Sequence, residues 1–484
     1  MKYSKFLILT SICFLIIISC TVKPSDEVII LNQPGYPFIF ELDPGESQNI
    51  IRSYNGKTIN SYIKLNSSKS FMETNYWFND SLGKNDYYQT DVELDISGQV
   101  VTLHHRPYQM PETINGLRIN IENIKDWDDH GRLGKTGGMK KQVRIAVCLE
   151  GEPWGPESII FPIENYIWRA AVYNNTWSAL VPFNLLYYHR GEDYGAIPDL
   201  LDVVSSTDGK IISTPVPDGT KGSNGVVIEN PDGVTFRYAH MNFETIVKEN
   251  TVGKEIKAGD LIGKTGMTWN GFKSQHLDPH LHVELSVKDV DVNSFPCMME
   301  AYLRKYTDKV IAIAGGYRFA VPGEKVELDA SRSFDRNMLP LKSVSWTLID
   351  GTIVRSPLTS ITYNEPGIYT EELTVETQAG DTDKDFLYVT VYDPSGENKT
   401  ASGWAYYYPV RGIKAGDEVI FWNRLSGTIS DVMINYGDGS SWEVIGAEAT
   451  HIFKKAGKFV ITLKSTGPGK APVTLKMELV VEEK

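Results

Sequence analysis

Three short stretches hold the residue types that hydrolytic chemistry needs. They are His189-Arg190-Gly191-Glu192-Asp193, Tyr238-Ala239-His240-Met241 and His280-Leu281-His282-Val283-Glu284. Imidazole and carboxylate are the usual ligands of a catalytic zinc, which takes three protein groups and keeps an open position for water. Histidine also titrates near neutral pH, which suits it to moving protons. On a strand, residues i and i+2 project from the same face. His280 and His282 can therefore enter one site together, one binding a metal while the other handles protons. Each stretch alone is a weak signal, since nine histidines in 484 residues is an ordinary number.

Strands must carry these residues. Val234-Thr235-Phe236-Arg237-Tyr238 alternates and leads directly into His240. It pairs naturally with Gly225-Val226-Val227-Ile228-Glu229 across the Asp232-Gly233 turn. In this order and setting the three stretches resemble the catalytic domain of the lysostaphin-like (LytM-type) zinc metallopeptidases, over roughly a quarter of the chain. That family carries an HxxxD motif, a YAH motif and a closing HxH. Asp208-Gly209 falls where the family has a turn, and Gly253 to Gly263 matches its glycine-punctuated strand pair. The resemblance implies one zinc per chain, held by His189, Asp193 and His282. It implies that His240 and His280 are the catalytic pair. His280, beside the metal, is the better candidate base, and His240 the group that hydrogen-bonds the oxyanion or the water; which ring does which job stays open. The implied substrate is the stem or bridge peptide of peptidoglycan.

The match has one departure. Between Gly266 and His280 the chain runs Met267 to Pro279, a few residues longer than the family's usual turn, and includes Trp269, Phe272 and His276. Loops around a rigid sheet commonly set specificity, so this departure bears on substrate more than on reaction. His276 reads as a solvent-exposed loop residue rather than a fourth ligand. Glu192 reads as a solvated carboxylate rather than a base. The apolar entry Leu185-Leu186-Tyr187-Tyr188 reads as core or groove wall. Two other functions stay open: an endopeptidase acting on extracellular proteins or foreign walls, and a non-catalytic adhesion or scaffold lipoprotein. Retention of all three ligand positions weighs against the last.

The rest of the chain predicts a mainly β protein. Residues 28–163 hold alternating runs such as Val92-Glu93-Leu94-Asp95-Ile96 and Leu117-Arg118-Ile119-Asn120-Ile121, separated by turn residues. They predict an N-terminal β domain, read as a sandwich. His104 and His105 are adjacent there and point to opposite faces of a strand, so they make a poor metal pair. The peptidase region spans 164–300, with a short helix expected over Met298 to Tyr306. Residues 307–394 and 395–484 repeat one pattern. The first copy has Gly323-Glu324-Lys325-Val326, Trp346, Asp350-Gly351 and Pro366-Gly367-Ile368-Tyr369; the second has Gly416-Asp417-Glu418-Val419, Tyr436-Gly437-Asp438-Gly439 and Ala456-Gly457-Lys458-Phe459. They resemble PKD-type, immunoglobulin-like β-sandwiches, the second less closely because it lacks the Asp329-Ala330-Ser331 stretch.

Composition narrows the setting. Apolar residues make up 41% and charged residues 23%, as in soluble globular domains, and the length suggests about three or four of them. The net charge is −13, and an acidic chain of this kind offers no footprint for nucleic acid. Lys2 and Lys5 precede an apolar run from Phe6 to Ile18 that ends in Ile-Ser-Cys20. The run is short for a membrane span and reads as a signal peptide over 1–19. Its end resembles a bacterial lipobox, which implies cleavage before Cys20, lipidation of that thiol and a polar tether over 20–27. The expected location is the bacterial cell envelope, anchored to the membrane and facing periplasm or surface. Beyond Cys20, only Cys148 and Cys297 remain in the mature chain, enough for one possible bridge and for no cysteine zinc site.

Overall fold

The alternating runs of the first 150 residues bury one face each. Val92, Leu94 and Ile96 lie inside the strand Lys84–Ile96, whereas Glu93 and Asp95 between them face outward. The computed structural model describes residues 30–77, 83–130, 138–168, 174–182, 186–217, 225–269, 272–273, 279–393, 395 and 401–484. Cys20, the targeting segment, the tether and His276 lie outside the described residues. A five-stranded sheet is ordered Ile30–Asn32, Phe38–Leu42, Val143–Leu149, Leu117–Ile124, Glu112–Ile114. A four-stranded meander, Ser47–Tyr54 through Gln99–His105, covers it, and their inner faces share one apolar cluster. The N-terminal region is thus a β-sandwich. His104 pairs with Asp91 at 2.8 Å, while the buried His105 donates from Nδ1 to the Ile121 carbonyl at 3.1 Å, so the two rings do separate work.

One buried ion pair holds this sandwich. Glu41 and Arg144 are cross-strand partners, both side chains wholly buried, with Arg144 Nη2 2.7 Å from Glu41 Oε1. The other carboxylate oxygen accepts the backbone N–H groups of Lys140 and Lys141. Removing one partner of such a pair leaves an uncompensated buried charge, which costs about 3–5 kcal/mol. Glu41→Ala is expected to destabilise the fold by that amount, read from urea unfolding of the whole chain. Glu41→Leu combined with Arg144→Met should recover most of the loss. A Glu41→Ala protein within about 1 kcal/mol of the parent would refute the assignment.

The central region is built on a seven-stranded sheet. Its order is Glu192–Gly195, His280–Val287, Val234–Ala239, Gly225–Glu229, Gly209–Ser213, Glu255–Ile256, with Val290–Asp291 also paired to His280–Val287. The expected hairpin across Asp232-Gly233 forms, with Val226 opposite Tyr238. The glycine-punctuated segment 253–263 yields two strands that do not pair with each other. Glu255–Ile256 pairs with Gly209–Ser213, and Leu261–Lys264 pairs with Asp202–Val204. Strand propensity is local, whereas the partner is chosen by distant residues. The helix runs Phe295–Lys305, starting three residues before the expected Met298, with Pro296 in its first turn and Arg304 and Lys305 in its last. Cys148 and Cys297 are buried and free, so the considered bridge is not formed.

The last 180 residues form two immunoglobulin-like sandwiches. Trp346 is buried in the first and Tyr436 in the second. They are not simply strung in tandem: Ile368 of the first pairs in parallel with Val473 of the second, which merges their main sheets into one of ten strands. The first module is also tied back to the N-terminal sandwich. Arg106 meets Asp329 at 2.9 Å, and Arg318 meets Glu73 at 2.6 Å. From the second, Arg411 reaches the Tyr166 carbonyl at 2.8 Å and Asp308 at 2.7 Å.

Candidate active site

Alternation sorts the strand His280–Val287 into two faces. Leu281, Val283 and Leu285 enter the apolar core, while His280 and His282 emerge together on the other side. Asp193 lies directly opposite His282 on the neighbouring strand Glu192–Gly195. Between His189 and Asp193 the chain turns at Gly191, whose φ is +79°, and an added Cβ would lie 2.3 Å from the Val283 carbonyl oxygen. Only glycine fits that close approach, so the spacing of the HxxxD stretch is bound to the strand it packs on.

These elements bring His189, Asp193 and His282 together in a buried cluster whose ligand-type atoms lie within 4.8 Å of one another. Asp193 Oδ1 is 2.8 Å from His282 Nδ1 and 3.3 Å from His280 Nε2. Asp193 Oδ2 is 3.2 Å from His189 Nε2. His240 completes the group, its ring centroid 4.6 Å from that of His280 and 5.7 Å from that of His282. Its Nδ1 lies 2.7 Å from the Thr268 carbonyl. A carbonyl only accepts, so Nδ1 carries the proton and Nε2 of the neutral ring is left as an acceptor. Burial, with His280 and His282 nearby, holds the His240 pKa well below its ordinary value. The residue also sits at φ +66°, a left-handed conformation that costs a non-glycine residue about 1–3 kcal/mol and is typical of functional positions.

Electrostatics favour positive charge at the centre. Burial would raise the Asp193 pKa, but His189, His280 and the hydrogen bonds from His189 and His282 hold it well below the usual carboxylate range. Burial would lower His282, yet Asp193 and Glu284 outweigh it and raise that ring to about 9. A positive charge is thus favoured at this ring. Two imidazoles and a carboxylate are also the donor set of hydrolytic zinc sites, and ligand histidines typically give their second nitrogen to a carboxylate. His282 does so: its Nε2 is 3.0 Å from Glu284 Oε1, and Arg237 holds that same oxygen at 2.8 Å. The residues present therefore fit a divalent metal.

Reading the sequence alone misses the roles of Glu284 and Arg237. Their signal was present: Glu284 stands two residues after His282, on the same strand face, and Arg237 pairs with it across the sheet. Glu192 requires a correction. It is buried rather than solvated, accepting hydrogen bonds from Thr176 and Ser294 at 3.1 and 3.0 Å. Burial raises its carboxyl to about 8 against those bonds, and the side chain ties Thr176 and Ser294 together as a structural contact. Alternation places it on the face opposite Asp193. In the apolar entry, Leu186 and Tyr188 are buried in core clusters, while the half-buried Tyr187 ring lies 6.5 Å from that of His189 and lines the approach.

Comparison with known proteins assigns the domain. Residues 187–294 match the model of peptidase family M23, and residues 308–391 and 404–471 each match a PKD domain. The chain therefore carries a region matching an M23 peptidase domain, followed by two regions matching PKD domains. Among solved structures, it is similar to a Ruminococcus gnavus protein described as a glycyl-glycine endopeptidase, lytM, with 29% identity and a TM-score of 0.21. That match covers 24% of this chain and 47% of the other, so the chain spans about half of that protein's length. It is also similar to the fibronectin(III)-like modules of Clostridium thermocellum CbhA, at 16% identity and a TM-score of 0.14, covering 36% of this chain and 94% of that one. No curated protein matches the chain.

Proposed function

We propose that the protein is a zinc-dependent endopeptidase that cleaves stem or bridge peptides of peptidoglycan at the bacterial cell envelope. The observation that carries this reading is the convergence of His189, Asp193 and His282 inside an M23 domain. His189 Nε2, His282 Nδ1 and the Asp193 carboxylate would hold the ion. When bound, zinc lowers the pKa of a water towards about 7 and polarises a carbonyl. The chain's own residues do the rest. Glu284, held by Arg237, fixes the His282 ring so that Nδ1 faces inward. His240, its tautomer set by the Thr268 carbonyl, takes the proton of the attacking water at Nε2. His280 donates to the oxygen of the reacting carbonyl. From the sequence His280 is the better candidate base, with the division of roles left open; the anchored tautomer is the reason for giving that role to His240.

Digestion of purified sacculi tests the reading. The protein is expected to release new amino termini, to stop when a chelator removes the metal and to resume when zinc is returned. Unchanged release in the chelator, or no release with zinc supplied, would sink it.

Envelope attachment is part of the same proposal. Cys20→Ser is expected to move the protein from the membrane fraction to the soluble one. A single acyl chain binds membranes only marginally, so stable attachment needs more than one chain on that residue. Retention of the serine variant in membranes would point to another anchor.

A further inference from the structure

The proposed ligand Asp193 is gripped from outside the matched domain. Residues 174–179 precede the peptidase match, and Asn175 forms a bridge with Asp193 on the outer edge of the strand Glu192–Gly195. The backbone part of that bridge runs from the Asp193 N–H to the Asn175 carbonyl at 2.9 Å. The side chain adds a second contact: Asn175 Nδ2 donates to Asp193 Oδ2 at 2.9 Å, and Asn175 is buried. A carboxylate cannot donate, so the amide must present its NH2 group here.

The two contacts do different work. The backbone bridge places the segment whatever residue stands at 175. The amide acts on the carboxylate itself, whose terminal torsion is broad and would otherwise be loosely set. Oδ1 already faces His282 and His280, while Oδ2 faces His189 and Asn175. Asn175 therefore helps to set the plane of the Asp193 carboxylate.

The strut is anchored on two domains. Tyr108 comes from the N-terminal chain between the strands Gln99–His105 and Glu112–Ile114, is buried in the core cluster of the central region, and donates its hydroxyl to the Asn174 carbonyl at 2.6 Å. Asn174 Oδ1 accepts from Tyr166 at 2.7 Å and from the Gly195 N–H at 3.1 Å. The residue before the amide is thus held by both the N-terminal region and the peptidase sheet.

We infer that Asn175 is a positioning residue for the metal ligand Asp193, and that the N-terminal domain supports it through Tyr108. This role rests on the proposed zinc site. Outer-shell partners of metal ligands are typically worth 10–100-fold in metal affinity.

The test is zinc affinity of the full-length protein, measured by competition with a chelating indicator. Asn175→Leu fills the same space without a donor. It is expected to melt near the parent when both are metal-free, yet to bind zinc about 10–100-fold more weakly. Asn175→Ala, which removes the donor without adding bulk or charge, should weaken zinc in the same range and carries the test if the leucine variant fails to fold. Tyr108→Phe should show a smaller loss of the same sign. A purely structural role would lower the metal-free melting temperature and leave affinity alone. If the parent binds zinc and both Asn175 variants bind it equally well, this inference falls and the metal site stands. If the parent takes up no zinc, both fall.

Discussion

Asp193→Ala is expected to abolish zinc uptake and peptide-bond hydrolysis together, as is His189→Ala. Each removes one of the three converging groups proposed to hold the ion. Asp193 is the more severe case. Its carboxylate faces His189, His280 and His282 at once, at 3.2, 3.3 and 2.8 Å. Without it, the three buried rings lose the carboxylate that faces all of them, and a divalent ion there would be disfavoured. Enzymes exceed uncatalysed rates by 10⁶-fold or more, and a loss of at least about 10⁴-fold is expected when the ion is gone. Metal analysis of the purified variants, alongside release of amino termini, checks this. Unchanged zinc in both variants would overturn the ligand assignment.

The second large effect separates binding from turnover. His240→Ala and His280→Ala are each expected to keep zinc and to lose about 10²–10⁴-fold in turnover, the usual worth of a general base or an oxyanion donor. His240 directly follows the strand Val234–Ala239, a different strand from those of Asp193 and His282, and its Nδ1 is tied to the Thr268 carbonyl. Its removal leaves the three ligand groups in place. His280 contacts Asp193 through Nε2, but Oδ1 of that carboxylate keeps the shorter contact to His282. Zinc lost from the His240 variant, or normal turnover in the His280 variant, would require the site to be redrawn.

Much of this centre was legible in the residues because it depends on short-range regularities. Period-two alternation is enough to put His280 and His282 on one face and Leu281 and Val283 on the other. An Asp-Gly turn between alternating runs is enough to specify the hairpin beneath His240. The repeat in the last third is likewise a local pattern, and the two matched PKD domains lie within it.

The features that escaped depend on which segments meet. Glu192 is charged and adjacent to a ligand, and nothing in its neighbours in sequence shows that Thr176 and Ser294 close over it. The strands of the segment 253–263 were recognisable, but their partners lie about 45 to 60 residues earlier, so pairing with each other was the default reading. Asn175 carries no motif, and it meets Asp193 from 18 residues away, beside an Asn174 carbonyl held by a tyrosine from the N-terminal region. By itself the sequence determined which residues are candidates for the chemistry and which faces of their strands they occupy, because side-chain type and strand period are properties of a few consecutive positions. Only the tertiary structure decided how those rings and carboxylates are oriented, buried and charged. Those quantities are set by contacts between distant segments, and burial shifts a carboxyl such as Glu192 as strongly as its own chemistry does.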